Sequence, residues 1–355
     1  MGEASALAPK LSAPQHRPRP LPLFLELLRS ETADQPERTK RALEGLRRYQ
    51  SFPRRATAEP MPAVAVAEGA ALRDYGGEGP PVLFIPSLIN PPTVLDLSPE
   101  RSLLRWLAGT GRRVLLLDWG WPGAERRELS VSGHVERILL PLIERLDEKP
   151  ALVGYCLGGT MALAAARAAR VPAVATIAAP WRFSGFPDAA RSQLAALWNA
   201  ARPTAQNLGL LPMEVLQSAF WSLDPARTIA KFEAFADAEG TKAEEFVALE
   251  DWANDGPPVA AAAARELFES FFAEDEPGRG EWRVAGERVD PAARTCPLLN
   301  IVSTVDRIVP QESAAPAGER LELPLGHVGM VVGSRARAAL WEPLADWLSR
   351  TPARF

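Results

Sequence analysis

Short apolar runs that alternate with helical patterns constrain the fold of this chain more than any other feature. Short apolar runs are typical of buried strands, and the segments between them carry helical spacing. Such alternation indicates βαβ units and a mainly parallel sheet, which the long gap before the last two runs would split. The predicted strands are residues 82–85, 114–117, 151–153, 173–178, 298–302 and 320–323.

The chain divides into a core, an insertion and an N-terminal extension. Residues 1 to about 20 are rich in Pro, Ala and basic residues, which favours an extended, mobile tail. Residues 23–49 predict one or two amphipathic helices, broken near Pro36. The predicted segments are 1–62, an N-terminal tail and helical extension; 63–182, the first part of the core; 183–292, a helical cap insertion; and 293–355, the second part of the core.

Composition excludes several classes of protein. Hydrophobic residues make up 47% and charged residues 24% of the 355 positions, as in ordinary globular proteins. The net charge of -4 with mixed signs argues against nucleic acid as a partner. No signal sequence or apolar stretch of ~20 residues is evident, so we expect a cytoplasmic protein without a transmembrane segment. The two cysteines and three histidines show no metal-ligand spacing, and we expect no metal site.

A candidate nucleophile follows the strand predicted at residues 151–153. The motif Gly154-Tyr155-Cys156-Leu157-Gly158 precedes an alanine-rich helix, and its glycines suit a tight strand-to-helix turn that presents a nucleophile. The helix start would favour the thiolate form of Cys156 and aim the amide of Leu157 at a developing oxyanion. A buried Cys156 that only packs is the alternative, since free cysteine is often buried.

Two further residues complete a candidate triad. Asp306 and His327 each follow a predicted strand, and they come after Cys156 in the order nucleophile, acid, histidine. Of the other histidines, His16 lies in the tail and His134 precedes the acid. Because thiols are mostly protonated at neutral pH, His327 would serve as the base, and Asp306 would fix its tautomer.

The strand order and the elbow, which is the tight strand-to-helix turn at Cys156, together predict an α/β-hydrolase fold with a mostly parallel central sheet and a helical cap insertion. In that fold the loop after the strand at 82–85 supplies a second oxyanion donor, for which the amide of Ile89 is the candidate. Cys296 precedes a strand without such a turn, and we interpret it as structural.

The motif around Cys156 closely resembles the cysteine lipase box of polyhydroxyalkanoate synthases. The resemblance extends over roughly residues 75 to 349. The segments that carry it, besides residues 154–160, are residues 88–90, 94–97, 117–122, 246–252, 306–310 and 326–329.

This resemblance implies an acyltransferase acting on 3-hydroxyacyl coenzyme A thioesters. Cys156 would accept the acyl group, His327 would activate the thiol, and Asp306 would assist His327 or the hydroxyl of the next monomer. The length resembles the shorter synthases that act with a second subunit, so a second subunit or a homodimer is implied, as is a polyester granule as partner and location. No cofactor beyond the coenzyme A of the substrate is implied, and the residues that bind it are not identified.

Departures from the family leave alternatives open. Ser132-Gly133-His134 stands where an aspartate pair and a tyrosine are usual, Thr93 stands where tyrosine is usual, and Arg307 where histidine is frequent. A thioesterase or a polyester depolymerase-type hydrolase with the same triad therefore remains the alternative. A non-catalytic, granule-associated scaffold is a third, against which the intact triad argues.

Overall fold

The structure, a computed structural model, describes residues 18–54 and 59–351, so most of the predicted tail lies outside the described residues. The chain forms two compact units. The first joins the N-terminal helices to residues 224–254, and the second contains the rest of the described chain. The helices are α1 (Leu21–Glu31), α2 (Pro36–Ser51), α3 (Leu103–Ala108), α4 (Val131–His134), α5 (Leu140–Glu144), α6 (Leu157–Ala169), α7 (Asp188–Leu208), α8 (Met213–Leu223), α9 (Pro225–Phe235), α10 (Gly240–Asn254), α11 (Ala261–Arg265), α12 (Gly329–Val332) and α13 (Glu342–Arg350).

An eight-stranded sheet forms the centre of the second unit, in the order β1-β2-β4-β3-β5-β6-β7-β8. Strand β2 runs antiparallel to β1 and β4, and all the remaining pairings in this sheet are parallel. All six predicted strands are present, as β3 to β8. The strands are β1 (Ala63–Ala67), β2 (Ala70–Asp74), β3 (Pro81–Ile85), β4 (Arg113–Asp118), β5 (Ala151–Tyr155), β6 (Val174–Ile177), β7 (Leu298–Ser303) and β8 (Glu319–Leu323).

Parallel pairing aligns the ends of the strands that matter for the site. Ile85 at the end of β3 pairs with Gly154 of β5, and Tyr155 pairs with Ile177 at the end of β6. Both β3 and β5 are buried along their whole length because helices cover both faces of the sheet. The loops that follow β3, β5, β7 and β8 therefore lie at one edge of the sheet, the one formed by the carboxyl-terminal ends of these parallel strands.

Shorter elements surround this sheet. π-helical stretches extend α5 and α13 at their N-terminal ends and α11 at its C-terminal end. The π-helical stretches are Val135–Leu139, Glu266–Ala273 and Arg337–Trp341; the 3-10 turns are Pro92–Leu95, Ala124–Arg126, Phe183–Gly185, Pro291–Ala293 and Gln311–Ser313; the short strand pairs are Asp96–Ser98 with Arg101–Ser102, Leu210–Leu211 with Val259–Ala260, and Arg283–Val284 with Glu287–Arg288.

The first unit is a small helical assembly of α1, α2, α9 and α10 around an aromatic core. The rings of Phe24 and Phe232 meet edge to face with centroids 4.8 Å apart, and Phe246 stacks on Phe235 at 4.2 Å. Helices α2 and α9 approach closely at Gly45, where a Cβ atom would lie 1.9 Å from the carbonyl oxygen of Phe232. Aromatic packing and this close approach hold the four helices together.

The N-terminal helices match the predicted ones, since the chain breaks between α1 and α2 directly before Pro36. The division into units differs from the predicted segments. Residues 224–254 pack with the N-terminal helices, whereas the prediction placed them in one cap spanning residues 183–292. The aromatic residues of α9 and α10 pack against α1 and α2. Local sequence patterns do not reveal this long-range contact.

Candidate active site

Cys156 stands on a strained turn between β5 and α6. Strand β5 ends at Tyr155, α6 begins at Leu157, and Cys156 between them has φ 55° and ψ -132°. A non-glycine residue in that region costs about 1–3 kcal/mol, which the surrounding packing must offset. The turn thus projects the thiol from the edge of the sheet, and Cys156 remains partly exposed there.

The neighbouring glycines are required by contact distances. A Cβ atom on Gly154 would lie 2.3 Å from the Cα of Gly159, and one on Gly158 would lie 2.0 Å from the carbonyl oxygen of Ile85. Helix α6 can therefore begin against the ends of β3 and β5 only because these side chains are absent. The glycine spacing predicted this turn.

Asp306 and His327 come together at the same edge of the sheet. Asp306 lies in the loop after β7, where its Oδ1 atom accepts hydrogen bonds from the amides of Ile308 at 2.7 Å and Val309 at 3.1 Å. Its Oδ2 atom accepts a hydrogen bond from Nδ1 of His327 at 2.7 Å. The Asp306 side chain is 0% exposed and the His327 side chain 8% exposed, so water does not screen this pair.

The thiol of Cys156 hydrogen-bonds with the His327 side chain. Because Nδ1 faces Asp306, the other ring nitrogen of His327 faces the thiol. Burial lowers the pKa of His327, but the charges of Asp306 and Cys156 and the hydrogen bonds to both outweigh it and raise the pKa to about 10. The site therefore favours the imidazolium form of His327 next to Cys156, and a neighbouring cation is a feature that can activate a cysteine nucleophile.

The two predicted oxyanion donors differ in their surroundings. Leu157 is the first residue of α6, so its amide lies among the N–H groups that a helix start leaves without a partner in the helix. Ile89 lies in the loop after β3, as expected, but its amide donates to Oγ of Ser87 at 3.0 Å. This conformation engages the Ile89 amide with Ser87, and its role as an oxyanion donor stays a prediction.

Comparison with known protein families assigns this chain to one of them. The sequence pattern of the alpha/beta hydrolase family matches residues 82–342, most of the chain. The chain belongs to that family. An esterase from Thermogutta terrifontis has the same fold, with a TM-score of 0.53 and 18% identity over 83% of this chain and 99% of the esterase. The predicted α/β-hydrolase fold is thus confirmed.

Curated relatives of this alpha/beta hydrolase carry a more specific name. A poly(3-hydroxyalkanoate) polymerase subunit PhaC of Haloarcula marismortui is 27% identical over 80% of this chain and 64% of the relative. One of Allochromatium vinosum is 28% identical over 76% of this chain and 80% of the relative. The chain therefore spans less than two thirds of the haloarchaeal protein and four fifths of the other. These relatives confirm the predicted resemblance to polyhydroxyalkanoate synthases.

Cys296 of this alpha/beta hydrolase occupies a very different place from Cys156. It is 8% exposed and lies just before β7, at the edge of the sheet opposite the elbow. Burial raises the pKa of its thiol. Both features match the prediction of a structural cysteine, because the thiolate is the reactive form.

Tyr155, which sequence reasoning did not single out, contacts the histidine directly. Its hydroxyl donates to the backbone carbonyl of His327 at 3.3 Å, and the two rings lie 5.0 Å apart between centroids. The one signal for it in the sequence is its place in the motif, directly before Cys156. A residue that directly precedes the nucleophile on a buried strand lies at the strand end, where the loops of the site meet.

Other site types find no support in the part of the chain that the structure describes. Within residues 18–54 and 59–351, no group of three or more His, Cys, Asp or Glu side chains could hold a metal ion. In the same ranges, no helix combines the length and the apolar character needed to cross a bilayer.

Proposed function

We propose that this alpha/beta hydrolase is a polyhydroxyalkanoate synthase-like acyltransferase with Cys156 as its nucleophile. The observation that carries the proposal is the hydrogen-bonded series from Asp306 through His327 to Cys156. A cysteine at the elbow suits thioester donors, since its acyl intermediate is itself a thioester. The name of these relatives, poly(3-hydroxyalkanoate) polymerase subunit, supports 3-hydroxyacyl units as the acyl group and a polyester as product.

The first half of the reaction transfers the acyl group from coenzyme A to the enzyme. The thiolate of Cys156 attacks the carbonyl carbon of the thioester, and the new C–S bond leaves negative charge on the carbonyl oxygen, which the amide of Leu157 stabilises. Collapse of this intermediate breaks the bond to the coenzyme A sulfur. The imidazolium of His327 gives its proton to that sulfur, so free coenzyme A leaves and acyl-Cys156 remains.

The second half forms the ester bond. The neutral imidazole of His327 takes the proton from the 3-hydroxyl of the next unit, whose oxygen attacks the carbonyl of acyl-Cys156. An ester bond forms, the C–S bond breaks, and thiolate and imidazolium are restored. The 2.7 Å contact with Nδ1 supports a role for Asp306 in orienting His327 rather than in activating the hydroxyl directly.

The proposal includes a partner and a location. The relatives are named as subunits of a polymerase, which supports a second subunit in the active assembly, with a homodimer as the alternative arrangement. The polyester would accumulate as a cytoplasmic granule to which the enzyme stays attached through its growing product. Coenzyme A enters as part of the substrate, and no further cofactor takes part.

Incubation with 3-hydroxybutyryl coenzyme A tests this function. Thiol release and turbidity are followed together, with and without a co-purified second subunit. A synthase releases thiol while the solution becomes turbid. Thiol release into a clear solution that contains 3-hydroxybutyrate would instead establish a thioesterase, with water as the acceptor. No thiol release in any combination contradicts both.

Paired cysteine variants test the nucleophile in the same assay. Cys156→Ala removes the attacking sulfur, so we expect no thiol release above background. Cys296→Ser changes the buried cysteine outside the site and should keep most of the activity. Turnover by Cys156→Ala at a rate near that of the unchanged protein would contradict the assignment.

A further inference from the structure

The side chain of Tyr155 supports the imidazole of His327 in two ways. Its ring lies against the imidazole ring, with centroids 5.0 Å apart and an angle of 35° between the ring planes. Its hydroxyl donates to the backbone carbonyl of the same histidine at 3.3 Å. Tyr155 is only 4% exposed and His327 8% exposed, so the contact excludes solvent.

Charge makes this contact more than ordinary packing. An aromatic face within about 6 Å attracts a cation, and the attraction strengthens when both partners are desolvated. His327 is held largely as a cation, since the nearby anions raise its pKa to about 10 despite burial. The ring of Tyr155 therefore faces a positive charge for most of the pH range in which the enzyme would work.

The titratable groups that act on His327 come from two elements. Asp306 approaches from the loop after β7, and Cys156 approaches from the turn after β5, beside Tyr155 itself. Burial raises the pKa of Tyr155, and the charges of Cys156 and Asp306 raise it further. Its hydroxyl therefore stays protonated and remains a hydrogen-bond donor to the histidine loop.

We propose that Tyr155 is a positioning residue for His327, whose ring favours the imidazolium form and whose hydroxyl fixes the histidine loop against β5. One rigid strand end then carries both the nucleophile and the support for its base. The contact thereby fixes the position of His327 relative to Cys156, although the two residues follow different strands. The inference rests on the proposed roles of Cys156 and His327.

The pKa of His327 tests the ring. Nuclear magnetic resonance of the protein labelled with 13C at histidine Cε1 follows the titration of His327. Tyr155→Leu removes the aromatic face that favours the imidazolium form. We expect the pKa of His327 to fall by about half to one unit.

A tyrosine in the other unit provides the matched control. Tyr49 is buried and donates its hydroxyl to Asp251 at 2.7 Å, so Tyr49→Leu and Tyr49→Phe remove comparable groups outside the site. Both should leave the pKa of His327 unchanged. An equal fall of this pKa in Tyr49→Leu and Tyr155→Leu would overturn the proposal, because the fall would then reflect general loosening.

Milder variants separate the ring from the hydroxyl and protect the test against misfolding. Tyr155→Phe keeps the ring, so we expect an unchanged pKa of His327 and coenzyme A release slower by about threefold to tenfold. A fluorinated phenylalanine at position 155 keeps the ring's shape but weakens its negative face, and should give His327 a lower pKa than Tyr155→Phe does. Equal pKa values of His327 in these two variants would refute the role of the ring.

Failure of this inference and failure of the proposed function give different results. Titration of His327 requires no acyl substrate, so a lowered pKa in Tyr155→Leu without coenzyme A release by the unchanged protein would reject the synthase and retain the role of Tyr155. Coenzyme A release with the same His327 pKa in every Tyr155 variant would do the reverse.

Discussion

The Oδ2 atom of Asp306 lies 2.7 Å from Nδ1 of His327, and the carboxylate that makes this contact has no exposed surface. Its other oxygen accepts two backbone N–H groups from the loop that follows. Three hydrogen bonds thus fix the carboxylate before any substrate arrives. A preorganised, desolvated anion can both orient the imidazole and stabilise its charged form.

Replacing Asp306 by Asn should disable the histidine while preserving the loop. The amide oxygen can still accept from Ile308 and Val309, but the side chain loses its charge and can impose the wrong tautomer on His327. We expect coenzyme A release to fall by roughly 10³- to 10⁴-fold, with an unchanged circular dichroism spectrum. Asp290→Asn is the matched control, because Asp290 accepts the amide of Ala292 in a remote turn. A loss below tenfold in Asp306→Asn would count against the orienting role.

The stability that Asp306 provides should depend on pH. The folded-state pKa of His327 is raised from 6.5 to about 10, so the folded protein keeps this proton when the unfolded chain has lost it. The resulting stabilisation is fully present below about pH 6.5 and is lost as pH rises through about 10. Denaturant unfolding of the unchanged protein and of Asp306→Asn should therefore differ most at low pH, with a difference that shrinks towards pH 10. A difference independent of pH would exclude this ion pair.

The elbow should not tolerate a side chain at position 158. In Gly158→Ala the new methyl group would lie 2.0 Å from the carbonyl oxygen of Ile85, so α6 must move away from the end of β3. We expect a loss of about 3 kcal/mol in the free energy of unfolding, measured by urea titration. Gly329→Ala, where a Cβ atom would meet nothing within 4 Å, should stay within about 0.5 kcal/mol of the unchanged protein. Equal stability of the two variants would show that the turn can relax.

Alkylation of the native protein should distinguish the two cysteines. Cys156 is partly exposed beside a cationic histidine, whereas Cys296 is buried and its thiol has a raised pKa. Under native conditions at neutral pH, iodoacetamide should modify Cys156 first, and Cys296 should react only after unfolding. Peptide mass mapping over time measures both rates. Faster modification of Cys296 than of Cys156 would reverse the proposed roles.

Strand prediction succeeded for β3 to β8 and missed β1 and β2. Strands β3 to β7 are mainly apolar and were expected on that ground, and β8 was expected although its sequence, Glu-Arg-Leu-Glu-Leu, includes three charged residues. Strands β1 and β2 were not expected, since β1 is the alternating sequence Ala-Val-Ala-Val-Ala with three exposed positions and β2 ends in charged residues. Their place in the sheet comes from the antiparallel pairing of β2 with β4, a long-range contact, and from the pairing of β1 with β2.

The sequence by itself determined the turn that carries Cys156 and the order of the three candidate catalytic residues. Glycine spacing, a preceding apolar run and a following helix are local features, and the physics of a tight turn acts within a few residues. Only the tertiary structure decided which side chains meet there. The pairing of Tyr155 with His327, 172 positions away, and the engagement of the Ile89 amide by Ser87 depend on sheet register and side-chain packing. The same holds for the helices of residues 224–254, whose aromatic core lies against the N-terminal helices. Burial is shared between distant segments, so no local pattern can specify it.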